Sequence, residues 1–115
     1  MKAWRRAYRE PAPHVETPEP PVYPVAVSLE ASDVLQLHWE TDSMASPWPY
    51  VSLEIHLVGY GQVGFLDPPS GIVSDYFDCT PYGDGWYYAR AAAEDEFEVI
   101  QGPWTTTDPV YVSAS

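Results

Sequence analysis

The fold class of this 115-residue chain is decided by the stretch Gly85-Trp86-Tyr87-Tyr88-Ala89-Arg90-Ala91-Ala92-Ala93. Read with a period of two, it separates one face of a tyrosine and small residues from an aromatic and charged face. The first face is Tyr87, Ala89, Ala91 and Ala93, and the second is Trp86, Tyr88, Arg90 and Ala92. Turn-forming residues precede the stretch at 81–85, and residues 94–96 are expected to form an acidic loop too polar to bury. The stretch therefore predicts a β-strand with a core side and an outward side.

Alternating segments elsewhere extend this prediction to most of the chain. Residues 51–58 alternate most clearly, with Val51, Leu53, Ile55 and Leu57 predicted to face the core. Further strands are predicted at 25–30, 35–40, 62–66, 72–79, 97–101 and 110–112. Their predicted core-facing residues include Val25, Val27, Leu29, Leu35, Leu37, Trp39, Val73, Phe77 and Cys79. Short strands separated by glycine and proline turns predict an all-β antiparallel domain.

Three motifs in order resemble a known family. Tyr87-x-x-Arg90-x-x-Ala93 resembles the strand F signature of fibronectin type III domains. Leu35-x-Leu37-x-Trp39 resembles strand B of that family, and Gly102-Pro103-Trp104-Thr105 resembles the approach to strand G. The resemblance covers roughly residues 22–113. It implies a seven-stranded, immunoglobulin-type antiparallel sandwich and a role in contact or spacing rather than chemistry.

The start of the chain differs in composition from the rest. Four of the five basic residues, Lys2, Arg5, Arg6 and Arg9, lie in the first nine positions. Residues 11–24 contain six prolines, which predict an extended, polyproline-like path. We therefore predict a basic, proline-rich N-terminal arm over residues 1–23 and a single β-sandwich domain over residues 24–115.

Charge and cysteine content exclude several classes of protein. From Glu10 onward, 17 acidic residues face Arg90 alone, and so acidic a body repels nucleic acid. The single cysteine cannot form an internal disulfide. No signal peptide or membrane span is predicted, because no apolar run follows the basic start. We therefore expect a protein made in a cytoplasm, with no membrane partner.

The histidine, acidic and cysteine residues that could act in catalysis or bind a metal ion predict neither function. His38 and His56 are expected on opposite outer faces, too far apart to share a metal ion. The acidic run 94–98 lacks the spacing of a calcium loop, so a solvated loop is preferred. Cys79 is expected to pack as a small hydrophobic residue. No nucleophile, phosphate-loop or dinucleotide motif is present, and we predict a non-enzymatic protein without cofactors.

The predicted partner-binding residues fall into two groups. The arm contributes Trp4, Arg5, Arg6, Tyr8 and Arg9, which are expected to order on a partner. The outward face of the sheet contributes Tyr50, His56, Trp86 and Tyr88, with a Glu54–Arg90 ion pair expected beside them. These aromatic residues exceed what a soluble monomer needs on its surface. The alternative is that proline-rich loops or the chain's own arm cover them.

These expectations together predict a virion structural protein. The setting is a bacteriophage or archaeal virus particle, in which the chain is a capsid decoration (cement) protein or a small tail or accessory subunit. Its partners are capsid or tail proteins, or like copies, in a symmetric assembly, and it is located in the virion or alternatively in the cytoplasm. One alternative is a carbohydrate- or protein-binding module that uses Trp86 and Tyr88 as stacking platforms. Another is a cytoplasmic regulator that contacts nucleic acid through its basic arm.

Overall fold

Eight β-strands form within residues 25–115, the part of the chain that this computed structural model describes. They are β1 (Ala26–Ala31), β2 (Gln36–Asp42), β3 (Tyr50–Leu57), β4 (Gly61–Leu66), β5 (Ile72–Asp78), β6 (Gly85–Glu94), β7 (Thr105–Thr106) and β8 (Val110–Val112). These residues contain no helix. The predicted arm and its residues Trp4, Arg5, Arg6, Tyr8 and Arg9 lie outside the described residues.

The strands form two antiparallel sheets. One sheet has three strands in the order β1-β2-β5, and the other has five, in the order β4-β3-β6-β7 with β8 also paired to β6. Buried residues of both sheets belong to one hydrophobic cluster, so the sheets share a single core. The prediction of an all-β antiparallel domain is confirmed, and the arrangement is compatible with a β-sandwich.

The core is built from the side chains that alternation assigned to it. Leu37 and Trp39 of β2 are buried and belong to the same hydrophobic cluster as buried residues of β3 and β6. The buried residues that were predicted to face inward are Val25, Leu37, Trp39, Val51, Leu53, Ile55, Cys79, Tyr87, Ala89, Ala91 and Ala93. Large rings and small alanines therefore fill the space between the sheets together, as close packing requires.

A short turn before β6 positions Tyr87. The amide groups of Tyr82 and Gly83 both donate to the carbonyl of Cys79, and Gly83 adopts a positive φ of 85° that suits glycine. The Tyr87 hydroxyl donates a 2.6 Å hydrogen bond back to the carbonyl of Gly83. This bond satisfies the one polar group of a fully buried ring and fixes the turn against the start of β6.

The predictions for residues 94–101 are wrong in two respects. Residues 97–101 form a loop instead of the predicted strand, with a single bridge between Glu94 and Ile100. The Asp95 carboxylate accepts hydrogen bonds from the amides of Phe97 and Val99, which folds the chain back on itself. Glu94 was expected in an exposed loop, but it is the last residue of β6 and only 3% exposed. Residues 110–112 form β8 as predicted, and a two-residue strand, β7, precedes the interruption at Asp108-Pro109.

Two outer strands carry features that oppose further strand pairing. On β4, Val63 is an extra residue, because Gly64 pairs with Ile55 while Gln62 pairs with His56. Such a bulge twists an edge strand away from a flat pairing surface. On β5, Asp75 pairs in register with Trp39 and so lies on the core-facing side, where a carboxylate at an edge disfavours an added strand.

Gly64→Ala is expected to lower the unfolding free energy by about 1–3 kcal/mol, because an overpacked core forces neighbouring groups to move. A Cβ at Gly64 would lie 2.5 Å from Cε1 of Phe77, whose ring is stacked on Tyr82. Gly85→Ala is the matched control, since its Cβ would meet only the terminal Cδ1 of Leu57, at 2.7 Å. Denaturant unfolding measures both variants, and equal losses would contradict this account of the β4–β5 packing.

Candidate protein-binding face

The outward side of the five-stranded sheet gathers aromatic and charged side chains from four strands and a loop. Cross-strand pairing places Glu54 beside Arg90, His56 beside Tyr88, and Trp86 beside Tyr111. We call this surface the aromatic face and define it by Glu54, Phe65, His56, Trp86, Tyr88, Arg90, Trp104 and Tyr111. Its members come from strands β3, β4, β6 and β8 and from the loop before β7.

A charged cluster forms the centre of the aromatic face. Arg90 Nε donates to Glu54 Oε1 at 2.7 Å, which confirms the predicted ion pair. His56 Nε2 lies 2.9 Å from the same oxygen, and the Arg90 guanidinium lies 4.0 Å from the centre of the Trp104 ring. Burial alone would raise the pKa of Glu54, but the hydrogen bonds from Arg90 and His56 outweigh it and lower that pKa. Arg90 is thus held on both sides, by a carboxylate and by a ring.

Aromatic pairs flank this cluster. The rings of His56 and Tyr88 stack with centroids 4.9 Å apart and an interplanar angle of 5°. Trp86 and Tyr111 meet edge to face at 5.3 Å. Trp86 is 53% exposed and Tyr111 is 48% exposed, whereas Tyr88 is half-buried. The largest accessible apolar surface of the face therefore lies at the Trp86–Tyr111 pair.

A shallow groove of about 640 Å³ crosses the face beside the charged cluster. It is lined by His56, Tyr88, Arg90, Thr106, Thr107 and Pro109. The Thr107 hydroxyl accepts a hydrogen bond from the amide of Ala89, so it remains able to donate its proton. The groove combines ring edges with hydroxyl and guanidinium donors, which suits a peptide or another polar group of a partner.

The structure brings together three of the four predicted face residues. His56, Trp86 and Tyr88 are neighbours, but Tyr50 lies at the far end of β3, six residues from His56 and about 20 Å away along the strand. Trp104 and Tyr111 were not predicted as members. The alternation of Val110, Tyr111 and Val112 contained the signal for Tyr111, because the two flanking valines face inward.

Tyr50 belongs instead to a second feature, the acidic pocket. This pocket of about 230 Å³ is lined by Tyr50, Asp67, Glu94, Glu96 and Glu98, where β3 begins and β6 ends. Burial raises the pKa of Glu94 to about 7, with a further contribution from the adjacent Asp67 and from Glu98 and Asp95. The pKa of Asp95 is lowered, chiefly because its carboxylate accepts a hydrogen bond from the Val99 amide.

The thiol of Cys79 and the imidazole of His38 lie outside the aromatic face and the acidic pocket. Burial raises the pKa of the Cys79 thiol to about 11, so it stays protonated and is a weak nucleophile at neutral pH. His38 lies on the other sheet, between Glu30 and Tyr76. Within residues 25–115 there is no group of three or more His, Cys, Asp or Glu side chains that could hold a metal ion. Nor does this part of the chain contain a helix that is long and apolar enough to cross a membrane.

Comparison of the chain with protein-family models, with curated proteins and with solved structures found no match.

Proposed function

We propose that the protein is a non-enzymatic structural subunit of a virus particle, with a fibronectin type III-like fold, that docks on protein partners through its aromatic face and its basic arm. A capsid decoration protein or a small tail or accessory subunit is the role that we assign to it. The observation that carries the proposal is the exposed Trp86–Tyr111 pair beside the Arg90–Trp104 contact.

The strand order supports the fold part of this proposal. The first, second and fifth strands form one sheet, and the third, sixth and last strands belong to the other. That division is typical of an immunoglobulin-type sandwich whose fourth strand joins the second sheet. The bond from the Tyr87 hydroxyl to the Gly83 carbonyl is similar to the tyrosine corner of such sandwiches.

The chemistry of the aromatic face supports a protein partner. Tryptophan, tyrosine and arginine are the residues that most often dominate the binding energy of protein interfaces. The rings and the guanidinium are already held in place by one another, so these side chains lose little conformational entropy when a partner docks on them.

Charge supports a repeating assembly. Residues 25–115 contain 14 acidic residues and one basic residue, whereas the first nine residues carry four basic ones. Like bodies repel, but a basic segment and an acidic body attract each other between neighbouring copies. A shell or tail of many identical positions is the setting in which such complementarity is used repeatedly.

Carbohydrate binding is the second candidate. The groove beside Arg90 offers hydroxyl and guanidinium donors next to an aromatic ring, which favours it. It ranks below protein binding because His56 covers one face of Tyr88 and Arg90 covers one face of Trp104, so those faces cannot stack on a sugar. Regulation through nucleic acid ranks third, because phosphates would meet an acidic body.

Trp86→Ala and Tyr111→Ala are each expected to weaken docking at least about tenfold, as loss of a central aromatic contact does. The measurement is the amount of each variant that is incorporated into virus-sized particles purified from cells that make the chain. Tyr76→Ala is the matched control, because Tyr76 is similarly exposed but lies on β5 of the other sheet. Incorporation of all three variants at the wild-type level would overturn the proposal. Absence of the wild-type chain from such particles would remove the virion setting.

A further inference from the structure

The free edge of β1 differs from the other three sheet edges within residues 25–115. The three-stranded sheet ends at β1 and β5, and the five-stranded sheet ends at β4 and at the successive short strands β7 and β8. Strand β4 carries the bulge at Val63, and β5 carries the core-facing Asp75. Strands β7 and β8 have two and three residues, and Pro109, which lacks an N–H, lies between them. Each of these three edges therefore has a feature that disfavours an added strand.

Strand β1 has none of these features. Its six residues pair with β2 in one uninterrupted register and include no proline, glycine or lysine. Its one charged residue, Glu30, pairs with His38 and faces outward, away from the core. A notch of about 240 Å³ is lined by Ser28, Leu29 and Glu30, so the middle of the strand is accessible. The edge of β1 is thus open to pairing with another strand.

The unpaired backbone groups of β1 can be assigned to particular residues. The Ser32 amide donates to the Gln36 carbonyl in the register of the two strands, so the even-numbered residues of β1 exchange hydrogen bonds with β2. The N–H and C=O groups of Val27, Leu29 and Ala31 therefore point away from β2. No other backbone group of residues 25–115 bonds to them. These three residues present a row of donors and acceptors to a partner.

We propose that β1 is a dimerisation edge, which pairs antiparallel with β1 of a second copy of this chain about a two-fold axis at Leu29. The two three-stranded sheets then form one continuous sheet of six strands. This inference goes beyond the proposed function, because it requires neither a virus particle nor the aromatic face.

The nature of the partner follows from what the edge needs. An exposed strand edge is completed by another strand whose edge is also unpaired. Within residues 25–115 only β1 offers an edge without a protecting feature, so the partner that this chain itself supplies is β1 of a second copy. Antiparallel self-pairing has two-fold symmetry and uses the same edge in both copies, so the assembly closes as a dimer.

A two-fold axis at Leu29 gives a register that suits both sides of β1. It places Leu29 opposite Leu29 of the second copy and Val27 opposite Ala31, so the outward-pointing backbone groups form about six hydrogen bonds. These apolar residues pair with buried residues of β2 and lie on the core-facing side. On the outward side Ser28 lies opposite Glu30, so no two acidic residues meet directly although both bodies are acidic.

The first test measures dimerisation of the full chain by sedimentation equilibrium. Ala31→Pro removes an N–H that points away from β2, and with it one hydrogen bond from each copy, so it is expected to weaken dimerisation at least about tenfold. Ala31→Ser is the matched control, because it keeps this N–H at the same exposed position, and it is expected to dimerise like the wild type. Equal dimerisation of the two variants, or equal loss, would overturn the inference.

The salt dependence of dimerisation is a further measurement on the wild-type chain. Raising the salt concentration from about 0.05 M to about 0.5 M is expected to strengthen the dimer, because salt screens the repulsion between two acidic bodies and leaves backbone pairing in place. Attraction between the basic segment and an acidic body would weaken instead. A dimer that dissociates as salt is added would therefore contradict pairing through β1.

The second test does not depend on how a proline is tolerated. In the proposed register Ser28 and Glu30 of the two copies form a non-hydrogen-bonded pair with Cα atoms about 4.5 Å apart, within the range of a disulfide. A mixture of Ser28→Cys and Glu30→Cys chains is expected to cross-link under mild oxidation more than either chain alone. Ser28→Cys mixed with Ser74→Cys, on the exposed side of β5, is the control and is expected to cross-link no more than Ser28→Cys alone. The native Cys79 is fully buried and does not compete. Equal cross-linking of the two mixtures would reject the register.

Trp86→Ala separates this edge from the aromatic face. It is expected to leave dimerisation unchanged, because Trp86 lies on β6 of the other sheet. Loss of the dimer in Trp86→Ala, with Ala31→Pro still dimeric, would assign self-association to the aromatic face and reject the edge. A chain that stays monomeric at about 0.1 mM would also reject it, and would leave the edge of β1 to another occupant, such as an extended peptide of a partner or residues 1–24 of the same chain.

Discussion

Trp39→Ala and Tyr87→Ala are each expected to lower the unfolding free energy by about 3–5 kcal/mol, the usual cost of removing a large buried aromatic side chain. Trp39 is 3% exposed and Tyr87 is fully buried, and both belong to the cluster that joins the two sheets. Tyr87→Ala also removes the hydroxyl that donates to Gly83. Such a loss is a large fraction of the stability of a domain this size, so both variants are expected to be partly unfolded at 37 °C. Urea unfolding followed by fluorescence measures the effect.

Trp86→Ala is the matched control for this experiment. It removes the same side chain as Trp39→Ala and lies next to Tyr87 in the sequence, but Trp86 faces outward. Its expected cost is about 1 kcal/mol or less, mainly from the lost edge-to-face contact with Tyr111. If Trp86→Ala proved more destabilising than Trp39→Ala and Tyr87→Ala, the assigned sides of β6 would be wrong.

The unfolding free energy of the wild-type chain is expected to fall as the pH rises from about 4.5 to about 7, by up to about 3 kcal/mol. The folded chain holds the Glu94 proton more tightly than the unfolded chain, because burial and Asp67 raise the pKa of Glu94. Folding is therefore favoured while Glu94 is protonated, and this advantage disappears as the proton is lost. Urea unfolding at about pH 5 and about pH 8 measures the difference.

Glu94→Gln is expected to remove most of this pH dependence and to raise stability near pH 8. The amide is neutral at every pH and can donate a hydrogen bond to Asp67. Glu96→Gln is the control, because Glu96 is exposed and is expected to leave the dependence intact. At lower pH the sign reverses, since Glu54 has a lowered pKa and its pairing with Arg90 is lost on protonation. A wild-type curve that is flat between about pH 5 and pH 8 would contradict the burial of Glu94 beside Asp67.

The core-facing and outward-facing sides of the strands could be predicted from the sequence. Successive side chains of a strand point to opposite faces, so burial of one face requires an apolar residue at every second position. Every second residue of 51–58 is apolar, and the core positions Val51, Leu53 and Ile55 are fully buried. The Glu54–Arg90 pair followed from the same parity, once β3 and β6 were expected to be neighbours. In a strand with one buried side, a one-residue slip in pairing would turn its apolar residues outward, so such slips are disfavoured.

The loop at 95–101 could not be predicted in this way. Its apolar residues Phe97, Val99 and Ile100 suggest a strand, but all three are exposed. The Asp95 carboxylate accepts hydrogen bonds from backbone amides, and these bonds compete with strand pairing. The alternation of apolar and polar residues gives no sign of such bonds. The burial of Glu94 could not be predicted from alternation either. Strand β6 continues one residue beyond Ala93, and the Gln101 amide donates a hydrogen bond to the Ala93 carbonyl.

The full membership of the aromatic face also depends on tertiary structure. Trp104 reaches Arg90 because Ala91 pairs with Thr105. That pairing joins residues far apart in the sequence, and no local pattern determines it. The sequence identified the chemistry of the face through Trp86 and Tyr88, whereas the fold determined which aromatic residues join them.

The bulge at Val63 and the core-facing Asp75 have a consequence for how this chain behaves when crowded. Fibrils grow when an unpaired strand accepts another strand of the same kind, layer upon layer. Neither β4 nor β5 presents a flat, uncharged template for that growth. Native copies are therefore not expected to polymerise by backbone pairing through β4 or β5, even at a high local concentration.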